Sequence, residues 1–519
     1  MKIVVGSGPS GISCAQALLD HGEEVCLVDA GVTLEPERQA VIARMGRQRP
    51  AEWSAEDLGR IKEGMNASAG GVMLKRVYGS DFAYRGPAEH LVTQTGKVAL
   101  MPTLAQGGLS NVWGAALLPY HARDLHDWPI TVQDLAPHYE AVMKLTPLAG
   151  RRDRLEECFP LYGEPKTLPM SGQARALWRR LEKHAGRLGR RGLQYGAARV
   201  AVQAGESGCV TCGLCMYGCP YGFIYNSAHT LGRWRERPGF TYRPGIVVDR
   251  VEETGGEVKV SGYHMESGQP WSMRADRVFL AGGVLPTTKI VLHSRGAYGR
   301  PLHILDSQYY LFPLLQAART PRVREEALYT LSQIFLELID PAISEHFIHL
   351  QIYSYNDLIG QALRKSLGPL GFDWLVRELE NRMLVAQGYL HSNHSARLRV
   401  ELRPGTRASE LLVEAEPNPK TAALVRKVVR KLAGLAPTLG ALPLEPMLQV
   451  TPPGRGFHCG GSLPMREQPG EFETDRLGRP GGWERIHVVD SSVFPSIPAT
   501  TITLSVMANA HRIGAAVCQ

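Results

Sequence analysis

The chain lacks any apolar run of the roughly 18–20 residues that a membrane-spanning helix needs. The richest such stretch, YYLFPLL at Tyr309–Leu315, is broken by Pro313. It reads as core, with a substrate wall or a membrane contact as the alternatives. Blocks of one charge sign are missing too, because the net charge of +8 is spread along 519 residues. The densest basic stretch, Arg179-Arg180, Lys183, Arg187 and Arg190-Arg191, reads as a solvated helix face, and less often such a stretch meets an anionic partner. No zinc finger, basic arm or aromatic RNA-binding motif is present, so nucleic acid is not expected as a partner. Low-complexity tracts and internal repeats are absent. Cysteine is scarce outside one segment: Cys14, Cys26, Cys158, Cys459 and Cys518 are scattered, which is unlike a secreted disulfide framework. With a first strand expected from Lys2 and no leader before it, a reducing, cytoplasmic location is expected, with peripheral membrane association left open.

What is present is globular in composition, 44% hydrophobic and 21% charged, with a length that suits two or three domains. The chain opens KIVVGSGPSG. Ile3-Val4-Val5 reads as a buried strand, Pro9 to Leu19 as a helix, and Val25–Val28 as a second strand ending on Asp29. Gly6, Gly8 and Gly11 stand at dinucleotide-binding spacing. Glycine there lets the backbone approach a pyrophosphate at the helix N-terminus. Asp29 lies where an acid accepts hydrogen bonds from ribose hydroxyls. This spacing does not by itself separate FAD from NAD.

Four of the nine cysteines fall within eleven residues, Cys209, Cys212, Cys215 and Cys219, the last followed by Pro220. C-x-x-C-x-x-C-x-x-x-C-P is the run with which bacterial ferredoxins hold iron–sulfur clusters. Thiolates suit iron as soft, charged ligands. The spacing predicts a 4Fe–4S cluster, or a 3Fe–4S form if only three cysteines bind. A structural zinc in a Cys₄ site and a knuckle that binds nothing are the alternatives.

Farther on, GGLSNVWG at Gly107–Gly114 is a second glycine-rich segment, and residues 246–283 read as antiparallel strands turning at Gly255-Gly256. Leu424, Val425, Val428, Val429 and Leu432 form one apolar helical face. The C-terminus carries FHCGGSLPM and then HVVDSSVFPSIPATTITLSVMANAHRIG. In this order, GSGPSG with Asp29, GGLSNVWG and the two C-terminal segments resemble the glucose–methanol–choline oxidoreductases, FAD-dependent enzymes that oxidise alcohols and sugars. The resemblance covers both ends of the chain and weakens across 300–440.

That resemblance implies an α/β fold. A Rossmann-type FAD-binding domain would be assembled from residues 1–120, 196–300 and 445–519. A second, α+β substrate domain on an antiparallel sheet would come from 121–195 and 301–444. Gly6, Gly8, Gly11 and Asp29 would bind the ADP half of FAD. Gly107, Gly108, Ser110, Asn111 and Gly114 would run along the flavin, Val248 would meet the adenine end, and Asp490 the pyrophosphate and ribityl chain. His458, in H-x-x-G-S-x-x-M, matches the catalytic base. The second catalytic position, usually His or Asn, falls on Thr501, which can orient an alcohol but is no base near neutral pH. His511 is expected at the surface or in a cap.

The function so implied is oxidation of a small-molecule alcohol or sugar, with electrons leaving through the cysteine segment to an acceptor protein or quinone. Thr501 motivates a rival, a non-oxidative lyase or isomerase on the same flavin fold, and an oxidase with structural cysteines is another. In the substrate domain, His349, Gln351, Tyr353 and Tyr355 share a face if SEHFIHLQIYSY is a strand. Such a face is more often solvent-exposed, but over a flavin it would hold sugar hydroxyls.

Overall fold

A computed structural model of the protein describes residues 1–64, 68–69, 72–95, 97–367, 369, 371–405 and 409–518. The short apolar strands at the N-terminus build a five-stranded sheet in the order Ile486–Val488, Arg277–Leu280, Lys2–Val5, Val25–Val28, Phe240–Arg243. Every neighbouring pair in it is parallel. Its strands are nearly continuous hydrophobic runs because both faces are covered. On one face lies the helix Pro9–Asp20, buried along almost its whole length, packed against the C-terminal helix Thr503–Val517. Gly514 lets the two helices meet: a Cβ there would lie 3.0 Å from the Cys14 carbonyl oxygen. The sheet thus draws on the start, middle and end of the chain.

The meander expected after residue 246 is present, as Ile246–Thr254, Glu257–His264 and Pro270–Ala275 in antiparallel register. Two further sheets follow. One is mixed, in the order Cys459–Gly460, Pro301–Asp306, Arg397–Pro404, Ser409–Glu416, Val92–Thr95. The other is antiparallel, in the order Ala441–Pro443, Tyr309–Gln316, Met383–Tyr389, Ser344–Tyr353, Ile334–Asp340, Leu193–Ala197, with Gln449–Val450 also paired to Tyr309–Gln316. Pro313 is tolerated inside its strand because it lies between the two short segments that pair along that side, so no ladder bond needs its missing N–H.

Alternation decides what this antiparallel sheet does. Ile348, Leu350, Ile352, Leu384, Ala386, Phe312 and Leu336 bury one face with the helices Gly172–Lys183 and Thr421–Gly434. Val425, Val428, Val429 and Leu432 supply the second helix's buried stripe, as the periodicity predicts. Residues of the other phase, Glu337, His349, Gln351, Tyr353, Gln387, Tyr389 and Tyr309, point away from those helices. The polar face of the strand is not solvent-exposed: His349 is 0% and Gln351 3% accessible. Tyr355 lies past the strand's end, where its N–H donates to Gln173 Oε1 at 2.8 Å.

Candidate active site

A cavity of about 410 Å³ lies between the parallel sheet and the polar face of the antiparallel one. One side of it is built by the first βα turn. Gly6 has φ +105°, and a Cβ on Gly11 would lie 1.9 Å from the Gly6 carbonyl oxygen, so the turn closes only with glycine at both places. Gly8 caps the helix Pro9–Asp20 and has open space where a Cβ would be. Gly6 and Gly8 line the cavity, while Gly11 sits behind them against the sheet. Asp29 accepts a hydrogen bond from Ser7 Oγ, and Ser7 Oγ in turn accepts the Gly107 N–H at 2.8 Å. Burial pushes the Asp29 carboxyl up to about 7, against the Ser7 bond and neighbouring backbone N–H groups.

The second glycine segment packs directly on the first: a Cβ on Gly108 would lie 3.1 Å from Gly8 Cα. Gly108, Ser110 and Gly114 line the cavity. Gly107 and Asn111 shape the loop instead. The Asn111 amide donates to the Gln106 and Gly108 carbonyls at 2.9 and 2.7 Å, and its oxygen accepts from Asn226 at 2.5 Å. Val248 lines one end of the cavity. Asp490 lines it near the N-terminus of the helix Val284–Ser294 and accepts from the Gly283 N–H at 2.9 Å, the Thr287 hydroxyl at 2.5 Å and the Ser492 N–H at 3.0 Å. Burial raises the Asp490 carboxyl.

His458 lies at the seam of the two walls. It follows Phe457, which holds a left-handed φ of 57°, a conformation that costs of order 1–3 kcal/mol and must be over-determined by its surroundings. Buried Asp306 supplies the brace: it accepts the Gly454 N–H at 2.9 Å and the Cys459 thiol at 3.2 Å, gripping the turn on both sides of Phe457-His458. Burial raises the Asp306 carboxyl to about 6. The His458 ring stacks on Tyr389 at 4.6 Å and 20°. Its Nδ1 is buried without a partner among the described residues, and the ring lines the cavity. Burial holds the imidazole pKa down at about 3.

Thr501 lines the cavity too, but its hydroxyl oxygen accepts the buried Leu118 N–H at 2.8 Å. His511 does not sit at the surface: it is 9% accessible and its Nδ1 meets that of His138 at 2.9 Å. The C-terminal helix is packed between the helices Pro9–Asp20 and Val132–Met143, which leaves it no exposed face there.

Cys209, Cys212, Cys215 and Cys219 lie behind the cavity on a segment turned by left-handed Thr211 (φ 52°), Gly213 (78°) and Gly218 (103°). Backbone N–H groups turn toward the sulfurs: Thr330 donates to Cys215 Sγ at 3.4 Å, and Tyr221, Phe223 and Ile224 donate toward Cys219. Burial, with the neighbouring thiols adding, pushes Cys209 to about 11 and Cys212 to about 12. No three of these sulfurs lie mutually within 4.8 Å among the described residues. A tetrahedral zinc with 2.3 Å bonds would hold its sulfurs about 3.8 Å apart, so the segment is not gathered for zinc. Met216 of this segment reaches the cavity wall, and Lys75 lines the cavity with its Nζ donating to the Trp113 carbonyl at 2.8 Å. Burial holds the Lys75 ammonium pKa down at about 8, while the influence of Cys215 and Cys219 opposes it.

The described metal-capable group is a different one, Asp124, His346 and His391, all buried. Its two imidazoles are stacked at 3.5 Å and 12°, and parallel rings cannot both aim an in-plane lone pair at one ion. Among the described residues, no helix is long and apolar enough to cross a membrane.

Sequence reasoning missed Asp306, Tyr389, Glu337 and Lys75. Glu337 carried one signal, as the single charge inside the apolar run IFLEL.

Comparison with known proteins gives a consistent picture. Residues 395–510 match a family model described as GMC oxidoreductase. No curated protein sequence matches the chain. Among solved structures, pyridoxine 4-oxidase from Mesorbium loti shares 15% identity at a TM-score of 0.59, covering 99% of this chain and 98% of that one. An FAD-dependent oxidoreductase from Chaetomium thermophilum gives 14% and 0.60, covering 99% and 98%. Formate oxidase from Aspergillus oryzae RIB40 gives 14% and 0.59, covering 99% and 97%. The chain therefore shares the fold of these solved structures over nearly its whole length, a Rossmann-type parallel sheet joined to a second unit built on an antiparallel sheet, and its residues 395–510 resemble a GMC oxidoreductase. None of these comparisons supports an iron–sulfur cluster.

Proposed function

We propose that this chain is an FAD-dependent oxidoreductase that oxidises the CH–OH group of a small alcohol or polyol, with His458 as the base. The observation that carries this reading is the position of His458, at the seam between a glycine-lined nucleotide cradle and a buried polar sheet face. The residues present fit FAD. Gly6 and Gly8 leave the helix N-terminus open to a pyrophosphate, Asp29 offers a buried carboxyl for ribose hydroxyls, and Gly108, Ser110 and Gly114 form the adjoining wall. Bound FAD supplies a hydride acceptor.

His458 accepts the hydroxyl proton of the alcohol. Its depressed pKa keeps the imidazole neutral, and so competent as a base, throughout the neutral range. Tyr389 fixes the ring by stacking, and Asp306 fixes the turn that carries it. Thr501 holds the Leu118 backbone beside the cavity, so its main part is to position that wall.

The electron exit assigned here is the Cys209, Cys212, Cys215 and Cys219 segment, holding an iron–sulfur cluster that passes electrons singly to a protein or quinone acceptor. Two observations support it over zinc. The sulfurs are spaced more widely than a tetrahedral ion allows, and several backbone N–H groups point at them, a common means of tuning cluster sulfurs. Met216 and Lys75 then lie between the segment and the cavity. An oxidase with structural cysteines is the second reading, in line with the pyridoxine and formate oxidases among the similar folds.

Anaerobic purification with absorbance and EPR spectra, and with iron, zinc and flavin quantified, tests both parts. Stoichiometric flavin bleached by an alcohol, with iron bound, supports the dehydrogenase. Flavin without iron, reoxidised by oxygen with peroxide released, supports the oxidase. No flavin at all overturns the reading.

A further inference from the structure

A chain of four buried side chains runs from the interior of the antiparallel sheet to the cavity, and the mechanism above does not use it. Cross-strand register places Glu337 opposite His349, and His349 opposite Tyr389. Two-residue periodicity then puts Gln351 and Tyr353 beside His349 on the same face. His349 Nδ1 donates to Glu337 Oε1 at 2.6 Å. Gln351 Nε2 meets His349 Nε2 at 3.2 Å, and the Tyr353 hydroxyl donates to Gln351 Oε1 at 3.1 Å. Glu337 and His349 are 0% exposed, while Gln351 and Tyr353 line the cavity.

The direction of this chain is fixed from its buried end. With Glu337 as the carboxylate, which can only accept, and His349 neutral, the imidazole proton sits on Nδ1 and Nε2 is left as an acceptor. The Gln351 amide must then turn its N–H to His349 and its oxygen to Tyr353. That commits the Tyr353 hydrogen inward and leaves the phenol oxygen only lone pairs, shared between the neighbouring Ser332 hydroxyl and the cavity. The oxygen lies against Gly114, where an added Cβ would be 3.4 Å away, in the segment that flanks the cofactor cradle. The usual second polar residue of the C-terminal motif is here Thr501, whose oxygen is already engaged by Leu118.

We infer that Glu337, His349, Gln351 and Tyr353 form a one-way hydrogen-bond chain that makes Tyr353 an obligate acceptor in the cavity and selects alcohols carrying a second hydroxyl to donate to it. The inference rests on the reading of the cavity as an alcohol-oxidation site. Tyr353 binds substrate; Glu337 and His349 are positioning residues that act through Gln351.

The test compares matched primary alcohols with and without a second hydroxyl: 1-propanol with 1,3-propanediol, and benzyl alcohol with 3-hydroxybenzyl alcohol. KM comes from anaerobic flavin bleaching, and Kd from titration of dithionite-reduced holoenzyme, which cannot oxidise the ligand. For at least one pair, the wild type is expected to favour the diol about tenfold in both KM and Kd, the worth of one buried hydrogen bond. Tyr353→Phe is expected to abolish that preference in both KM and Kd. Glu337→Leu should lose the preference as well, and Glu337→Gln, whose amide oxygen still accepts from Nδ1, should restore most of it. A purely structural role would not produce that difference between the two. Should Glu337→Leu fail to fold, Tyr353→Phe decides alone. The inference is overturned if the wild type bleaches with alcohols but shows no diol preference in either pair, or if Tyr353→Phe keeps the preference. If no alcohol in the panel bleaches the wild-type flavin, the oxidation reading itself fails, and the inference with it.

Discussion

Lowering the pH separates His458 from an ordinary histidine. A general base must be unprotonated to accept the substrate proton, so the rate falls as pH drops through its pKa. An unperturbed imidazole has a pKa of about 6.5, so at pH 5 only about 3% of it is neutral and the rate would fall roughly thirtyfold from its plateau. His458 is held at about 3 by burial. At pH 5 about 99% of such a group is still neutral, and at pH 4.5 about 97%. The rate constant for anaerobic flavin bleaching by an alcohol, followed by stopped flow from pH 8 to 4.5, is therefore expected to stay flat within about twofold on the acid side. Flavin fluorescence at each pH checks that the cofactor stays bound. A roughly thirtyfold decline by pH 5 with an inflection near 6.5 would refute the reasoning. It would mean that the ring is solvated in the working enzyme, or that another histidine is the base.

Three further outcomes follow from the same geometry. His458→Ala is expected to keep its flavin and lose about 10²–10⁴-fold in the bleaching rate, and a loss under tenfold would remove His458 from the proton transfer. Thr501→Val strands the buried Leu118 N–H and is expected to cost about 1–3 kcal/mol in denaturant unfolding of the holoenzyme, so an unchanged midpoint would show that the bond contributes nothing. Gly11→Ala places a Cβ 1.9 Å from the Gly6 carbonyl oxygen, so the purified variant is expected to lack flavin, and stoichiometric flavin in it would contradict the cradle as described.

The parts of the fold legible in the sequence are those with local rules. The first βα unit is announced by an apolar tetrad, glycines at fixed spacing and an acid at the second strand's end, and all of them act within about thirty residues. The meander after Ile246 and the apolar stripe of Thr421–Gly434 are similarly local. His458, Asp29 and Asp490 could be picked out because they sit in short motifs. His511 could not be placed, because its burial depends on packing against helices far away in sequence, Pro9–Asp20 and Val132–Met143 with its His138. The strand face of His349, Gln351 and Tyr353 misled in the same way. Alternation identifies a polar face but is silent on whether that face meets solvent or another layer.

The sequence by itself marked out the glycine turn, the apolar stripes and the candidate base His458, since each depends on residue type at short spacing. Only the tertiary structure decided what surrounds that base. Asp306 grips its turn from 152 positions away, and Tyr389 stacks on it from 69 positions away. The cross-strand register that sets Glu337 behind His349, and His349 beside Tyr389, joins three strands of one antiparallel sheet. Thr501 shows the same division. Its place in the motif suggested an orienting hydroxyl, while its partner, the Leu118 N–H, lies 383 positions away. A hydrogen bond forms wherever folding brings a donor to an acceptor, and no local pattern encodes that meeting.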